Sequence, residues 1–173
     1  PGIIDVARRY FGLTVPVVAA DARRFLARGS ERFDAIVIDL YATGQIPAHV
    51  ATREFYAEVK ARLAPGGVVA LNVYGGGAPG LVVEPIGATL EAVFPSVLEA
   101  DAGWGNVILL AWDGVMDVAT ARSLLAAAPA AAQVSARALA EGLRGPNPAW
   151  RASLVLTDDR SDLEVRAARA LAR

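Results

Sequence analysis

Short apolar segments alternate along the chain with longer segments in which apolar residues recur at helical spacing. The segments that predict strands are β-branched and apolar: 14–20, 34–39, 68–73, 97–100, 106–112 and 154–156. The segments that predict helices are 5–11, 22–28, 53–63, 83–94, 134–143, one that begins after Asp117 and one that begins after Ser161. Continuous apolar strands alternating with helices are typical of a mostly parallel sheet covered by helices on both faces.

Polar residues and glycines mark where several of these helices begin and end. Thr52 is a suitable N-cap, and the negative charge of Glu54 in the following turn interacts favourably with the positive end of the helix dipole. Ser161 and Glu164 have the spacing of a capping box, which predicts the start of the last helix. Gly29 ends the helix over 22–28.

Composition limits what the protein can be. The chain has 173 residues, 54% hydrophobic and 20% charged, which predicts one folded domain over 1–173 rather than a disordered segment. The net charge of -1 predicts no nucleic-acid partner. Because there is no cysteine and a single histidine, we expect no metal. No apolar run is long enough to span a membrane and no signal peptide is visible, so we expect a cytoplasmic protein without a membrane partner.

Two carboxylates follow predicted strands. Asp21 follows the segment 14–20, and Asp39 follows the next strand along the chain. Because ligands of open α/β sheets bind outside the carboxyl ends of the strands, both side chains are expected to face one crevice. There Asp39 can take a proton or orient an amine. Tyr41, two residues beyond Asp39, is expected to line the same crevice and bind substrate. The alternative for Asp21 and Asp39 is that each carboxylate only caps the loop or helix that follows it.

A glycine-rich segment offers a competing interpretation. The sequence 75–80 has the form G-x-G-x-x-G between a predicted strand and a predicted helix. Glu99 and Asp101 follow about 20 residues on, as in dinucleotide sites. This pattern is consistent with NAD binding. Pro79 argues against it, because it lies where the helix should begin to donate amides.

Read together, several segments resemble the spermidine synthase (polyamine aminopropyltransferase) family, in particular its spermidine synthase-like branch. The matching segments are Asp5–Phe11, Val18–Leu26, Phe33–Asp39, Thr52–Tyr56, Leu63–Val69 and Leu156–Asp159. Their order and spacing cover most of the chain. The Leu-Ala-Pro-Gly-Gly element is the least specific, because Rossmann-like methyltransferases in general contain it.

The resemblance implies a Rossmann-like class I methyltransferase fold and assigns roles to residues. The donor substrate would be S-adenosylmethionine or its decarboxylated form. Asp21 would accept a hydrogen bond from the adenine amino group, with the backbone amide of Ala22 beside it. Asp39 matches the catalytic aspartate, which helps to deprotonate and position the attacking amine. The acceptor would be a small-molecule amine, and the family suggests a homodimer.

Two departures from the family pattern affect these expectations. Orthodox members have a second aspartate three residues after the first, and this chain has Ala42 there. The glycine-rich donor loop and the ribose-binding acid would precede Pro1, so we expect a C-terminal fragment in which the N-terminal strands are lacking. The expected function is aminopropyl transfer to an amine by a transferase that is active when full length. The alternatives are an S-adenosylmethionine-dependent small-molecule methyltransferase and a degenerate, non-catalytic adenosyl-binding domain.

Overall fold

A computed structural model describes residues 2–42 and 44–172, and their contacts divide the chain into two compact units, Pro1–Ser30 and Glu31–Arg173. The first unit contains the helices α1 (Gly2–Phe11) and α2 (Ala22–Arg28). The prediction for α2 is confirmed at both ends, because an aspartate caps its first turn and a glycine follows its last residue. The prediction of one domain over 1–173 stays a prediction.

The segment 14–20, predicted to be a strand, is not one in the described part of the first unit. Its side chains are exposed, and Val18 is 65% accessible to solvent. A β-branched segment becomes a strand only when a neighbouring backbone satisfies its N–H and C=O groups. Pro16 also lacks the N–H that a ladder requires. The apolar pattern of 14–20 was therefore insufficient to predict a strand.

The second unit is built on a five-stranded sheet. Its strands are β1 (Phe33–Ile38), β2 (Leu63–Tyr74), β3 (Ser96–Gly103), β4 (Asn106–Trp112) and β5 (Leu143–Arg144), arranged in the order β1-β2-β4-β3-β5. Only β1 and β2 are parallel, whereas β2–β4, β3–β4 and β3–β5 are antiparallel. The expected mostly parallel sheet is therefore corrected to a mixed one. The cause is the tight connection between β3 and β4, because strands joined by so short a turn pair antiparallel.

Helices cover both faces of this sheet. They are α3 (Arg53–Ala61), α4 (Gly80–Glu91), α5 (Val118–Ala126), α6 (Gln133–Gly142) and α7 (Leu163–Leu171), with short 3₁₀ turns at Ala48–Val50, Ala130–Ala132 and Pro148–Ala152. Alternate residues of β2 face opposite sides. Val69, Leu71 and Val73 are fully buried on one face. Val68 and Ala70 on the other face pack in a cluster that includes residues of α5 and α6. Among the described residues no helix is both long and apolar enough to cross a membrane.

Two short-range predictions near the C-terminus are wrong. The segment 154–156 is not a strand in the described chain, and its last residue instead donates its N–H to the Thr89 hydroxyl at 2.9 Å. The capping box does not form, because α7 begins one residue later, after Asp162. Asp162 instead accepts a hydrogen bond from Arg166 Nε at 2.7 Å, which favours the helix from within its first turn.

Candidate functional site

Asp39 lies immediately after β1, at the edge of the sheet where the parallel strands β1 and β2 end. The register pairs Ile38 with Leu71, so Asp39 is level with Asn72 of β2. Asn72 Nδ2 donates a hydrogen bond to Asp39 Oδ1 at 3.1 Å. The carboxylate is exposed, and one of its oxygens is held by a neighbouring strand. This geometry leaves the second oxygen to accept a proton or a hydrogen bond.

The Tyr41 hydroxyl ties the chain after β1 to the end of β2. It donates to the backbone carbonyl of Asn72 at 3.1 Å and accepts the N–H of Tyr74 at 2.8 Å. Burial raises the pKa of the Tyr41 phenol, and the charge of Asp39 adds to the rise, while the Tyr74 N–H opposes it. The phenol therefore stays protonated at neutral pH and remains the donor to Asn72. Because both of these bonds use the hydroxyl, a substrate would meet the aromatic ring of Tyr41 instead.

A tight turn follows Tyr41. Ala42 and Gln45 exchange backbone hydrogen bonds of 2.8 and 3.1 Å, and Gly44 has a φ of 82°. That φ lies in the left-handed region, which glycine adopts without the strain of a Cβ. Thr43 lies outside the described residues. At Ala42, the position that the family resemblance matches to a second aspartate, the side chain is a methyl group.

Asn72 was missed by the sequence analysis, although the sequence contains a signal for it. It is the single polar residue in the apolar segment 68–73, and it lies near the carboxyl end of the strand that follows Asp39 along the chain. Its Oδ1 is buried with no hydrogen-bond partner among the described residues. An unpaired buried amide oxygen needs an explanation, since an apolar residue would fill the strand without that penalty.

The glycine-rich segment 75–80 does not form the phosphate cradle of a dinucleotide site. The N–H of Gly75 donates to the carbonyl of Gly105 at 2.9 Å, and the N–H of Gly77 donates to the carbonyl of Ala170 at 3.3 Å. A phosphate cradle needs loop amides that are free to bind the anion. Two of these amides are instead engaged by the protein, so the NAD interpretation is not supported.

The space beside this loop is also too small for a nucleotide. Tyr41, Tyr74, Gly76, Leu163 and Ala170 are among the residues that line a cavity of about 10 Å³. A cavity of that size has room for about one water molecule. Asp39 is not among the residues that line this cavity, so a ligand that contacts Asp39 would bind outside it.

Asp21 and Ala22 belong to the first unit, away along the chain from Asp39 and Tyr41. Asp21 has β-region backbone angles, and its Oδ1 accepts the N–H of Arg24 at 2.9 Å, so it is the N-cap of α2. An open depression in this unit is lined by Ala20, Asp21, Arg24, Phe25, Arg28 and Gly29. Capping occupies one oxygen, and an ionised carboxylate can accept further hydrogen bonds. Their roles, and a crevice shared with Asp39, stay predictions.

Comparison with curated proteins finds relatives of one kind. The chain is 34% identical over 96 residues to a probable polyamine aminopropyl transferase of Bifidobacterium longum, a match that covers 53% of this chain and 21% of that protein. It is 32% identical over 81 residues to a polyamine aminopropyltransferase of Vibrio vulnificus, covering 43% of this chain and 27% of that protein. The matches thus span about a quarter of the relatives' length. No family model matches the chain.

Solved structures share the fold over most of the chain. A probable spermidine synthase from Corynebacterium glutamicum has a TM-score of 0.70 at 20% identity, covering 94% of this chain and 62% of that one. Human methyltransferase-like protein 13, in complex with SAH, has a TM-score of 0.56 at 20% identity, covering 95% and 74%. Spermidine synthase from Thermotoga maritima has a TM-score of 0.52 at 22% identity, covering 69% and 47%. The predicted Rossmann-like class I methyltransferase fold is confirmed.

Proposed function

We propose that this chain is a member of the spermidine synthase family and that it transfers an aminopropyl group to an amine, as the names of its curated relatives suggest. The donor substrate in this proposal is decarboxylated S-adenosylmethionine, and the acceptor is a small primary amine. The observation that carries the proposal is the Asp39 carboxylate, exposed at the carboxyl edge of the sheet and hydrogen-bonded through one oxygen by Asn72.

The chemistry requires a proton acceptor at this position. The amine nitrogen forms a bond to the aminopropyl carbon beside the sulfonium, the carbon–sulfur bond breaks, and its electron pair goes to sulfur to give methylthioadenosine. An ammonium ion has no lone pair for this attack, so a proton must first be taken or shared. In the proposal the Asp39 carboxylate accepts that proton and points the nitrogen at the carbon.

The donor side of the proposal rests on Asp21 and Ala22. Asp21 caps α2, and an ionised carboxylate has two oxygens that can each accept more than one hydrogen bond, so in the proposal it also accepts the adenine amino group. Ala22 is the first residue of α2, and amides in a first turn have no partner within the helix. Both residue types therefore fit an adenine edge, which presents one donor and one acceptor.

The acceptor side departs from the orthodox enzymes. Ala42 offers no carboxylate for a second ammonium group, so an acceptor gains little from a distant positive charge. The ring of Tyr41, whose hydroxyl is occupied, presents an aromatic surface next to the reacting amine. We therefore expect an acceptor with one amine at Asp39 and a less polar remainder, rather than a long polyamine.

Product analysis with the full-length protein tests the proposal. The protein is incubated with decarboxylated S-adenosylmethionine, or with S-adenosylmethionine, and a panel of primary monoamines and diamines, and the products are identified by mass spectrometry. Methylthioadenosine together with an aminopropylated amine supports the proposal. A methylated amine with S-adenosylhomocysteine would instead establish the methyltransferase alternative. Donor binding by calorimetry without any transfer would establish a non-catalytic adenosyl-binding domain.

The homodimer that the family resemblance implies is part of the proposal. Light scattering on the purified chain tests it directly, because the mass of one chain is 18.0 kDa. A solution mass of twice that value supports the dimer, and a mass equal to it contradicts the dimer. The predicted cytoplasmic location stays a prediction.

A further inference from the structure

We propose that Asn72 is a positioning residue for Asp39, holding one carboxylate oxygen so that the other is presented to the acceptor amine. The proposal rests on the function proposed above and adds to it a residue to which no role was assigned. Its central observation is the 3.1 Å hydrogen bond from Asn72 Nδ2 to Asp39 Oδ1.

An exposed carboxylate at the end of a strand needs such a restraint. Asp39 follows the last residue of β1 and is exposed, so its side chain rotates about two bonds unless something holds it. Proton transfer and in-line attack both require a fixed oxygen, because small displacements lower the rate steeply. The amide of Asn72 engages Oδ1, and Oδ2 is then left in a defined place.

The backbone of Asn72 is itself held in place on both sides. Its position in β2 pairs with Ile108 of β4. Its carbonyl accepts the Tyr41 hydroxyl, which in turn accepts the N–H of Tyr74. Where β1 ends, the Tyr41 hydroxyl thus takes the two backbone bonds that a continuing strand would have made. Asp39 is therefore held next to β2 in two ways: its carboxylate is bonded to Asn72, and Tyr41, two residues further along the chain, is bonded to the β2 backbone.

The orphaned oxygen of Asn72 is a second, independent observation. Oδ1 is buried and unpaired among the described residues, which is destabilising for a polar group. Leucine or valine would occupy this strand position with no such penalty. An amide that serves only packing has no reason to be here, whereas an amide whose Nδ2 orients a carboxylate does.

The test compares two substitutions of Asn72 with a distant control. Asn72→Leu removes the donor while keeping the branched shape of the side chain, and we expect kcat to fall by about tenfold with the KM of the donor unchanged. Asn72→Asp places a second carboxylate beside the first and opposes its ionisation, so the acidic limb of the pH–rate profile should move to higher pH. Asp34→Asn, at the opposite end of β1, should change neither rate nor profile.

The outcomes separate this inference from the function on which it rests. Wild-type kcat in Asn72→Leu, or an unmoved acidic limb in Asn72→Asp, overturns the positioning role even if Asp39→Asn abolishes turnover. If Asp39→Asn retains full turnover, the proposed function is what fails. Circular dichroism verifies that each variant is folded, and Asn72→Asp keeps the test decisive if Asn72→Leu is not.

Discussion

Gly87 in α4 has no side chain, and this allows α4 to pack closely against the 3₁₀ turn Pro148–Ala152. A Cβ built at Gly87 would lie 2.4 Å from Cε2 of Trp150, closer than real Cβ atoms approach other heavy atoms. Trp150 is 1% exposed, so its ring has no space into which it could move. The close packing of this helix therefore depends on one glycine.

Gly87→Ala should destabilise the protein although alanine is the better helix former. In an open helix the change would raise the unfolding free energy by about 1 kcal/mol, whereas overpacking a core costs about 1–3 kcal/mol or more. We expect a net loss of about 2 kcal/mol in urea unfolding. Gly114→Ala is the matched control, because nothing lies within 4 Å of its added Cβ. Equal stability of the two variants would contradict the packing account.

Residue by residue, the candidate site was only partly predictable. Asp39 was proposed from the sequence because a carboxylate directly after an apolar strand is expected to face the ligand-binding edge of such folds. Asn72 was not, because its contact depends on the register of β1 against β2, which hydrophobic periodicity leaves undetermined. Tyr41 was expected in the crevice, but the use of its hydroxyl as a substitute strand partner could be seen only in three dimensions.

At the scale of elements, hydrogen bonds connect the N-terminus of α3 to the segment 156–158. The Thr52 hydroxyl accepts the N–H of Phe55 at 3.2 Å and donates to Asp158 Oδ1 at 2.7 Å. The N–H of Asp158 donates to Glu54 Oε2 at 3.0 Å. Two segments that matched the same family in sequence are thus bonded to each other across about a hundred residues.

Thr52→Val should weaken this connection, because it removes both the hydrogen bond that the hydroxyl accepts and the one that it donates. Thr52 is 2% exposed, so water does not replace the lost bonds. We expect the unfolding free energy to fall by about 1–2 kcal/mol, the usual effect of losing a helix cap. Thr14→Val, the same change at an exposed residue of the first unit, is the control. The account is contradicted if hydrogen exchange of the α3 amides is as slow in Thr52→Val as in the unmodified protein.

Helices were easier to predict than strands for a physical reason. Their capping signals are local: Asp117 accepts the N–H of Thr120 at 2.7 Å and begins α5 where the sequence indicated. The segments 14–20 and 154–156 had strand composition but no strand partner in the described chain. The direction of β4 was not contained in its apolar pattern. It follows from the turn at residues 103–105, where Gly103, Trp104 and Gly105 all have positive φ.

On the scale of the whole molecule, stability should depend on pH through a phenol in the core. Tyr56 is fully buried, and its hydroxyl has no hydrogen-bond partner among the described residues. Burial raises its pKa far above the ordinary value of 10.0. The stabilisation linked to this group is complete below pH 10 and is lost as the pH rises, because the unfolded chain then releases a proton that the folded chain retains.

Tyr56→Phe should therefore flatten the alkaline part of the stability curve. One proton corresponds to at most about 1.4 kcal/mol per pH unit, and the variant should lack that contribution above pH 10. At neutral pH it should be at least as stable as the unmodified chain, since an unpaired buried hydroxyl is removed. Urea unfolding from pH 7 to 11 provides the measurement, with Tyr10→Phe, an exposed phenol, as the control. An unchanged alkaline slope in Tyr56→Phe would show that this phenol is not responsible.

Turnover of Asp39→Asn, measured beside donor binding, tests the central claim most directly. If the carboxylate takes the proton of the acceptor amine, the substitution should lower kcat for aminopropyl transfer by about a hundredfold or more. Calorimetric affinity for decarboxylated S-adenosylmethionine should stay close to that of the unmodified protein, and Asp34→Asn should retain full turnover. Undiminished transfer by Asp39→Asn, or an equal loss in Asp34→Asn, would contradict the account.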